Sequence, residues 1–396
     1  MLSFPSDGDL SLYLHIPFCT TCCSYCAFYS EPINENTAFL NAYVDRLEQE
    51  ILAVASRVER FATIFIGGGN PGSLSAEQLR RLLVAAKAGL SDEVTVEMNP
   101  ETFSEAFFDV FSEGLVTRLS MGIQSMDDAT LNRLGRNARR CDNLRGINLA
   151  QKAHEAYGIE LSFDLMVCLP GQTVDDAISD LKEVLTLSEA DHISLYCLTV
   201  EEGTELAEQV GLGTTTVLDE DGQQDFLSRI WAELGRLQFD HYEVSNFCRN
   251  QQKSRHNMVY WRLDDYLGLG SSAASTIREG TVSRHYTQVQ DLRDYASSPL
   301  FSGYEEEFVD ANQQIEEYLM MALRTNAGID KQVFQARYNQ DFDTLFSPVI
   351  STLDSSWFHD AKDLFVLTEY GFMVLDEILL RLALEISQAL DRLYPL

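Results

Sequence analysis

Residues 13–30 read YLHIPFCTTCCSYCAFYS and hold half of the chain's eight cysteines. Three of these follow the spacing Cys19-x3-Cys23-x2-Cys26, with Cys22 beside them. In a chain without a secretory signal, such clustering indicates metal or iron–sulfur binding more than disulfides. Three thiolates can hold a four-iron cluster whose fourth iron stays open to another ligand. The alternative is a tetrahedral zinc, although adjacent Cys22 and Cys23 point in opposite directions and strain a closure by all four thiols.

Around this loop, apolar strands alternate with amphipathic helices. Ser11–Ile16 predicts a strand that runs into the loop, and residues 37–60 carry apolar side chains at helical spacing. Further strands are predicted at 62–66, 93–98, 118–122, 160–167 and 192–198. This alternation favours an α/β fold of parallel βαβ units, either a full or partial (β/α) barrel or an open doubly wound sheet. Functional groups would then lie at the carboxyl ends of the strands.

Two shifts in composition suggest the domain organisation. Regular periodicity gives way to Gly, Thr and Glu at 203–216, and a second change occurs at 299–303. We predict a barrel domain at 1–210, an extension of the barrel at 211–302 and a mainly helical C-terminal domain at 303–396. The last domain is predicted to contain two helices, an apolar strand and a final amphipathic helix, at 315–324, 331–338, 364–368 and 372–389. This order is similar to that of a small winged-helix-like domain.

Composition restricts the partners. The chain has 396 residues, a formal net charge of −32 and a pI near 4.4. An acidic surface of this kind repels nucleic acid and anionic membranes, while leaving room for a local basic groove. The sequence has neither a signal peptide nor an apolar run of roughly 18 residues that would predict a membrane span. We therefore expect a cytoplasmic protein that does not bind nucleic acid.

The cysteine loop resembles that of radical S-adenosylmethionine (SAM) enzymes. The closest resemblance is to the branch that contains oxygen-independent coproporphyrinogen dehydrogenases and HemW-type proteins. It rests on the spacing of Cys19, Cys23 and Cys26 and on Tyr25 before the last of them. The resemblance implies a partial barrel of the radical SAM type with a [4Fe-4S] cluster on these three cysteines. It also implies SAM at the open iron, with Tyr25 near the cofactor and Cys22 as a spare thiol.

Further segments resemble cofactor-contacting positions of that family. Residues 67–71 (GGGNP) resemble the glycine segment that contacts the methionine amino group, with Asn70 where relatives usually have Thr. Taken alone, a glycine run is usually a turn, and each polar residue at a strand end could be an ordinary cap. His15 could likewise be a core histidine. The resemblance implies that the cofactor is contacted by Tyr13, Gly68, Gly69, Glu97, Gln124, Arg136, Asp164, Cys197 and Ala274.

The segment RHNMVYW at 255–261 carries a second motif, in which His256 and Asn257 precede Tyr260 and Trp261. A histidine near aromatic residues is usually structural, although the set also suits a flat aromatic ligand with an iron centre. HNxxYW resembles the HemW-type signature that is implicated in haem binding, and coproporphyrinogen dehydrogenases differ there. Those enzymes also carry a fourth cysteine where this chain has Phe28. The resemblance therefore implies that the four motif residues bind haem.

Two functions follow from the resemblance. One is a haem chaperone that passes haem to respiratory haem proteins, with a reductant such as flavodoxin or ferredoxin and transient membrane association both compatible with it. The other is oxidative decarboxylation of coproporphyrinogen III in porphyrin biosynthesis, which predicts turnover. Phe28 and the HNxxYW motif both favour the chaperone, and we assign no catalytic residue.

Overall fold

The computed structural model describes residues 10–32, 37–279 and 282–393. The first half consists of β1 (Ser11–Ile16), β2 (Phe18–Cys19), β3 (Glu31–Pro32), α1 (Thr37–Ala55), β4 (Thr63–Gly68), α2 (Ala76–Ala85), β5 (Glu93–Met98), α3 (Phe108–Ser112), β6 (Arg118–Gln124), α4 (Asp128–Arg133), α5 (Arg140–Tyr157), β7 (Glu160–Val167), α6 (Val174–Leu187) and β8 (His192–Cys197). Strand and helix alternate along most of this half, as the sequence predicts.

The middle of the chain extends this unit with α7 (Glu205–Gly211), α8 (Glu220–Arg236), β9 (Asp240–Glu243), β10 (Asn246–Cys248), α9 (Arg255–Trp261), β11 (Tyr266–Leu269), β12 (Ala274–Glu279), β13 (Val282–Gln288), α10 (Leu292–Ser297) and β14 (Tyr304–Val309). The C-terminal part contains α11 (Ala311–Ala322), β15 (Ile329–Asp330), α12 (Lys331–Tyr338), α13 (Phe342–Ile350), β16 (Phe358–Asp360), β17 (Leu364–Leu367), α14 (Glu369–Met373) and α15 (Leu375–Leu393). Within the described residues, no helix is both long and apolar enough to cross a bilayer.

One large sheet has the strand order β14-β13-β12-β11-β1-β4-β5-β6-β7-β8-β10-β9. Neighbours pair in parallel from β11 through β1 to β8, and the pairs on both flanks are antiparallel. Because the parallel strands are joined by helices, their carboxyl ends meet at one edge, which we call the mouth. We call the opposite edge the base. This is the partial (β/α) barrel that the sequence predicts.

Along the strands, side chains that are buried in the core alternate with side chains that face the candidate site. In β1, Leu12 and Leu14 are completely buried, while Tyr13 between them keeps some accessible surface. In β4, Ile64 and Ile66 are buried in the same way on either side of Phe65. Successive side chains of a strand point to opposite faces, so one face packs on the helices and the other faces the barrel interior.

The C-terminal part packs around its own aromatic core. Its sheet has the order β15-β17-β16, with α12 and α13 against it. Phe334 and Phe342 meet edge to face with ring centroids 5.5 Å apart, and Phe365 of β17 lies 5.6 Å from Phe342. Such geometry stabilises aromatic pairs beyond the area they bury. The small sheet with its helices agrees with the predicted winged-helix-like domain.

Several predicted boundaries are wrong. The helix predicted for 37–60 ends at Ala55, where the Ser56 hydroxyl donates to the Ala53 carbonyl at 2.8 Å. The irregular segment predicted at 203–216 contains α7, because the Thr204 hydroxyl accepts the Ala207 N–H and caps this helix. The single final helix predicted at 372–389 is divided between α14 and α15. The domain limits stay predictions, and those at 1 and 396 lie outside the described residues.

Candidate functional site

The cysteine loop begins at the mouth, directly after β1. Its ends are held together by parallel pairing of β2 with β3. Cys19, Cys23 and Cys26 are half-buried, whereas Cys22 is exposed. Burial raises the pKa of Cys19 to about 11 and also raises that of Cys26, and the neighbouring thiols add to both shifts. Since thiolate is the form that binds iron, these thiols would ionise only together with binding of a cationic centre.

Two segments from elsewhere in the barrel fix the loop. The Ser24 N–H donates to the Leu134 carbonyl at 3.0 Å, and the Leu206 N–H donates to the Ser24 carbonyl at 2.8 Å. Gly135 has a φ of +68°, and a Cβ there would lie 3.3 Å from the Ser24 nitrogen. The loop after α4 therefore needs a glycine in order to lie against the cysteines. Among the described residues, no three His, Cys, Asp or Glu side chains are arranged to hold a single metal ion.

The glycine segment after β4 lies against two other strands. The Gly69 N–H donates to the Ile16 carbonyl at 2.9 Å, and the Gly68 N–H donates to Glu97 Oε2 at 3.3 Å. Gly68 has a φ of +107°, and a Cβ there would overlap the His15 imidazole. Side chains at these positions would collide with His15 and the backbone that follows β1, so the glycines let the segment lie directly against β1 and beside Glu97 of β5.

Asn70 is completely buried and ties this segment to the loop after β5. Its Oδ1 accepts the N–H groups of Gly72 at 3.0 Å and Asn99 at 3.2 Å. Its Nδ2 donates to Thr102 Oγ1 at 3.1 Å. A threonine at this position lacks the amide donor, so the local bonding accounts for the Asn in this chain.

Two carboxyl groups, Glu97 of β5 and Asp164 of β7, face the barrel interior. Burial, and secondly the Asp164 charge, raises the pKa of Glu97 to about 8. Burial also raises the pKa of Asp164 to about 6, against hydrogen bonds from Ser194 and Ser120. No ion pair within 4.0 Å involves either group in the described part of the chain. A cationic ligand between them would favour their charged forms, since opposite charge offsets the cost of burial.

Arg136 connects the mouth to the cysteines. Its Nη2 donates to the Gly122 carbonyl at 2.6 Å and to Asn99 Oδ1 at 3.4 Å, and its Nη1 lies 4.0 Å from Cys23 Sγ. Its Nε is buried without a hydrogen-bond partner among the described residues. A buried guanidinium with an unused donor suits an anionic group beside Cys23, such as a thiolate-ligated cluster or a carboxylate.

The other residues predicted to contact the cofactor also lie towards the mouth. The Tyr13 hydroxyl is 2.8 Å from His15 Nδ1, and Ala274 lies against Gly268, the residue that pairs with Tyr13. Gln124 ends β6 with a φ of +65°. Tyr25 packs in a small cluster with Leu134, two residues before Arg136, and Cys197 ends β8. The structure thus brings the predicted set to one edge of the sheet, while their contacts with a cofactor stay predictions.

Sequence reasoning missed a thiol pair at this edge. Cys168 follows β7 with a φ of +61°, and its neighbour Val167 pairs with Cys197 of β8. The Cys168 thiol donates a hydrogen bond to Cys197, which lowers the pKa of Cys197 and raises that of Cys168. The available signal was that both cysteines end neighbouring parallel strands.

The residues predicted to bind haem lie at the base, away from the cysteines. α9 covers the amino ends of β4 and β5, where the Glu93 carboxylate accepts the His256 N–H at 2.9 Å. His256 is 0% exposed, with Nδ1 2.7 Å from Thr63 Oγ1 and Nε2 2.8 Å from the Tyr260 hydroxyl. To ligate iron it would have to release one of these partners. Trp261 at the end of α9 packs in a separate small cluster with Tyr242.

A row of rings connects the base with the mouth. His256 stacks on Phe65 at 5.1 Å, Phe65 lies 6.3 Å from Tyr13, and Tyr13 lies 5.7 Å from His15. Phe65 was not singled out from the sequence. Its signal is its position between Ile64 and Ile66, which point to the other face of β4.

Comparisons with known proteins agree with this geometry. The Radical SAM superfamily model matches residues 13–184, and the HemN C-terminal domain model matches residues 309–374. "Heme chaperone HemW" of Lactococcus lactis is 31% identical over 91% of this chain and 94% of its own length. The protein of the same name in Bacillus subtilis is 31% identical over 93% of this chain and 97% of its own. The bovine "Radical S-adenosyl methionine domain-containing protein 1, mitochondrial" is 32% identical over 98% of this chain and 87% of its own length.

Among solved structures, coproporphyrinogen III oxidase (HemN) of Escherichia coli superimposes with a TM-score of 0.77. The two share 20% identity over 97% of this chain and 91% of that one, which is a likeness of fold. The barrel, its cysteine loop and the C-terminal domain define a radical SAM protein. Within that superfamily, the chain belongs to the HemW family. The resemblance seen in the sequence is therefore confirmed, and the family implies a [4Fe-4S] cluster and SAM.

Proposed function

We propose that this chain is a cytoplasmic haem chaperone that binds a [4Fe-4S] cluster, SAM and haem and delivers haem to respiratory haem proteins. The observation that carries the proposal is the similarity over nearly the whole chain to proteins named heme chaperone. Two local features support it. Phe28 occupies the position of the dehydrogenases' fourth cysteine, and the HNMVYW segment forms α9.

In this proposal Cys19, Cys23 and Cys26 hold the cluster. When bound, such a cluster offers SAM an open iron and a source of one electron. Arg136, 4.0 Å from Cys23 Sγ, stabilises the negative charge that three thiolates bring to the loop. The exposed Cys22 stays outside the ligand set.

SAM would occupy the mouth between the glycine segment and the interior carboxyl groups. The backbone of the glycine segment at Gly68 and Gly69 would contact its methionine part, and Glu97 would accept hydrogen bonds from its amino group. Asp164 adds negative charge on the opposite side of the interior. Because Glu97 has a raised pKa, it would give up a proton as the cationic ligand binds.

The test compares two substrates under anaerobic conditions. We expect the reconstituted protein to bind haem, seen as a saturable Soret change, and to leave coproporphyrinogen III unconverted in the presence of SAM and reductant. A variant with Cys19, Cys23 and Cys26 replaced by Ala shows which signals depend on the cluster. Protoporphyrinogen formed over many turnovers would overturn the chaperone proposal in favour of a dehydrogenase, and failure to bind haem would also contradict it.

A further inference from the structure

A cleft of about 850 Å³ lies between α9 and the helices α11 and α12 of the C-terminal part. It adjoins a groove of about 600 Å³ that runs along the base of the barrel. The two spaces share Met258, Arg262, Asp264 and Arg278. Each volume by itself is within the range of about 300–1,000 Å³ that is usual for small-molecule and cofactor sites.

The walls of the cleft suit a flat apolar ligand. They include Met258 and Trp261 from α9, Tyr318 from α11 and Val333 from α12. Val333 is 49% exposed although it is a large aliphatic residue. The indole N–H of Trp261 is buried and has no hydrogen-bond partner among the described residues. Buried donors are usually satisfied, so this residue of the cleft wall carries a donor that a ligand could satisfy.

The same cleft collects positive charge in a strongly acidic protein. Arg262, Arg278 and Arg337 all line it, although the chain's net charge is −32. Arg337 donates to the carbonyls of Arg262 and Leu263 at 3.0 Å each, and its Nε is buried without a partner in the described part of the chain. Burial, together with the charge of Arg278, lowers the pKa of Arg337. These arginines repel one another and would be stabilised by an anion.

The acidic residues of the cleft compensate this charge incompletely. Asp330 caps α12, accepting the N–H groups of Gln332 at 2.8 Å and Val333 at 3.0 Å. Asp264 is the remaining carboxylate that lines the cleft; burial raises its pKa, against the charges of the three cleft arginines, which lower it. Among the described residues, neither Arg262 nor Arg278 makes a side-chain hydrogen bond or an ion pair within 4.0 Å. Their guanidinium groups are therefore available to a ligand.

We propose that this cleft binds haem, with Trp261 against the porphyrin and Arg262, Arg278 and Arg337 at the propionates. The proposal rests on the proposed haem function and locates its site. Planar guanidinium groups match carboxylates in geometry as well as in charge. Of the residues predicted to bind haem, Trp261 contacts the ligand. His256 instead acts as a positioning residue, because it fixes α9 from inside the barrel.

The experiment uses haem and haem dimethyl ester, which lacks the propionate charges. We expect Arg278→Gln and Arg262→Gln each to weaken haem binding by roughly tenfold, since each removes a charge-assisted contact. Binding of the dimethyl ester should be the same in the wild type and in both variants, which also shows that the cleft remains folded. Arg293→Gln, on an exposed residue of α10 outside the cleft, is the matched control and should bind haem as the wild type does.

The outcomes separate this site from the function it depends on. Haem bound equally well by the wild type and both cleft variants would overturn the cleft and leave the chaperone proposal standing. A wild type that binds no haem would overturn both. Equal loss of haem and dimethyl ester binding would overturn the propionate contacts, because the variants would then act by disturbing the cleft.

Discussion

At the scale of single residues, exposure distinguishes the four clustered cysteines. Cys22 is exposed, while Cys19, Cys23 and Cys26 are half-buried, and burial together with the neighbouring thiols raises the pKa of Cys19 and Cys26. Arg136 approaches Cys23 and not Cys22. The ligand set implied by sequence resemblance is therefore compatible with the positions of the thiols.

This leads to a prediction about iron. Alanine at Cys19, Cys23 or Cys26 should abolish the cluster, because solvent does not easily replace a thiolate in a site with three protein ligands. Alanine at Cys22 should leave it intact. Iron and labile-sulfide analysis with visible spectra after anaerobic reconstitution would check this. If the Cys22→Ala protein lacks iron while the Cys23→Ala protein keeps it, the assignment of the cluster ligands to Cys19, Cys23 and Cys26 is wrong.

The raised pKa of Glu97 leads to a prediction about the pH dependence of stability. Its pKa of about 8 in the folded chain exceeds the unfolded value of 4.5, so the folded state holds the proton more tightly. The contribution of this group to the stability of the cofactor-free protein should therefore be fully present below pH 4.5. It should fall as the pH rises towards 8. Glu97→Gln should flatten that decline in thermal melts, whereas Glu77→Gln, on the exposed face of α2, should not. Parallel curves for all three proteins would contradict the raised pKa.

The same carboxylate should matter for the cofactor. We expect Glu97→Ala to retain the cluster and to lose roughly ten- to hundredfold in SAM affinity, the usual effect of a charged hydrogen bond. Asp164→Ala should weaken binding in the same direction. Anaerobic calorimetry would measure both. Unchanged affinity in the two variants would exclude the interior carboxyl groups from the cofactor site.

At the scale of elements, α9 depends on contacts with two strands of the barrel, β4 and β5. Glu93 accepts its first N–H groups, and His256 bridges Thr63 and Tyr260 inside the barrel. Burial lowers the pKa of His256 to about 3, so the imidazole is neutral at physiological pH. A helix of seven residues has little stability of its own and is held by these contacts.

We therefore predict that His256→Ala lowers the free energy of unfolding by about 2–4 kcal/mol, from the cavity and the unpaired Tyr260 hydroxyl it leaves. Haem affinity should fall as a consequence, while the cluster persists. Asn257→Ala, at a half-buried position of the same helix, should cost less stability. Chemical denaturation and haem titration would be compared. Lost haem binding with unchanged stability would instead indicate direct ligation by His256.

At the scale of the whole molecule, the proposed SAM and haem sites lie at opposite ends of one barrel. His15, Tyr13, Phe65 and His256 form the row of rings between them, with centroids 5.1–6.3 Å apart. Packed side chains of this kind can couple two sites, and any coupling of affinities must be reciprocal. SAM could then influence haem affinity without approaching it.

Phe65→Leu tests this coupling. We expect SAM to change haem affinity at least fivefold in the wild type, which is the lower end of typical coupling, and by less in the variant. Haem titrations with and without SAM would give the factor by which SAM changes haem affinity in the wild type and in the variant. Phe103→Leu, which changes a buried ring outside this row, should leave the coupling intact. Equal coupling in all three proteins would exclude the row of rings as its carrier.

Local patterns were sufficient to predict parallel βαβ units and the candidate cluster ligands, whereas the choice of a partial barrel over an open sheet came from the family resemblance. The period of apolar residues predicts strands and helices because it depends on backbone geometry over a few residues. The spacing of Cys19, Cys23 and Cys26 likewise lies within a single loop. Helix ends such as Ala55 were missed, because caps depend on single hydrogen bonds that periodicity does not register.

Contacts between distant segments were decided only by the tertiary structure. Sheet order brings β11 beside β1 and so sets α9 under the barrel, with His256 at the end opposite the cysteines. The Cys168–Cys197 pair and the cleft arginines 262, 278 and 337 also come from separate elements. No local period encodes such proximity, because it follows from strand pairing and from the packing of one domain on another.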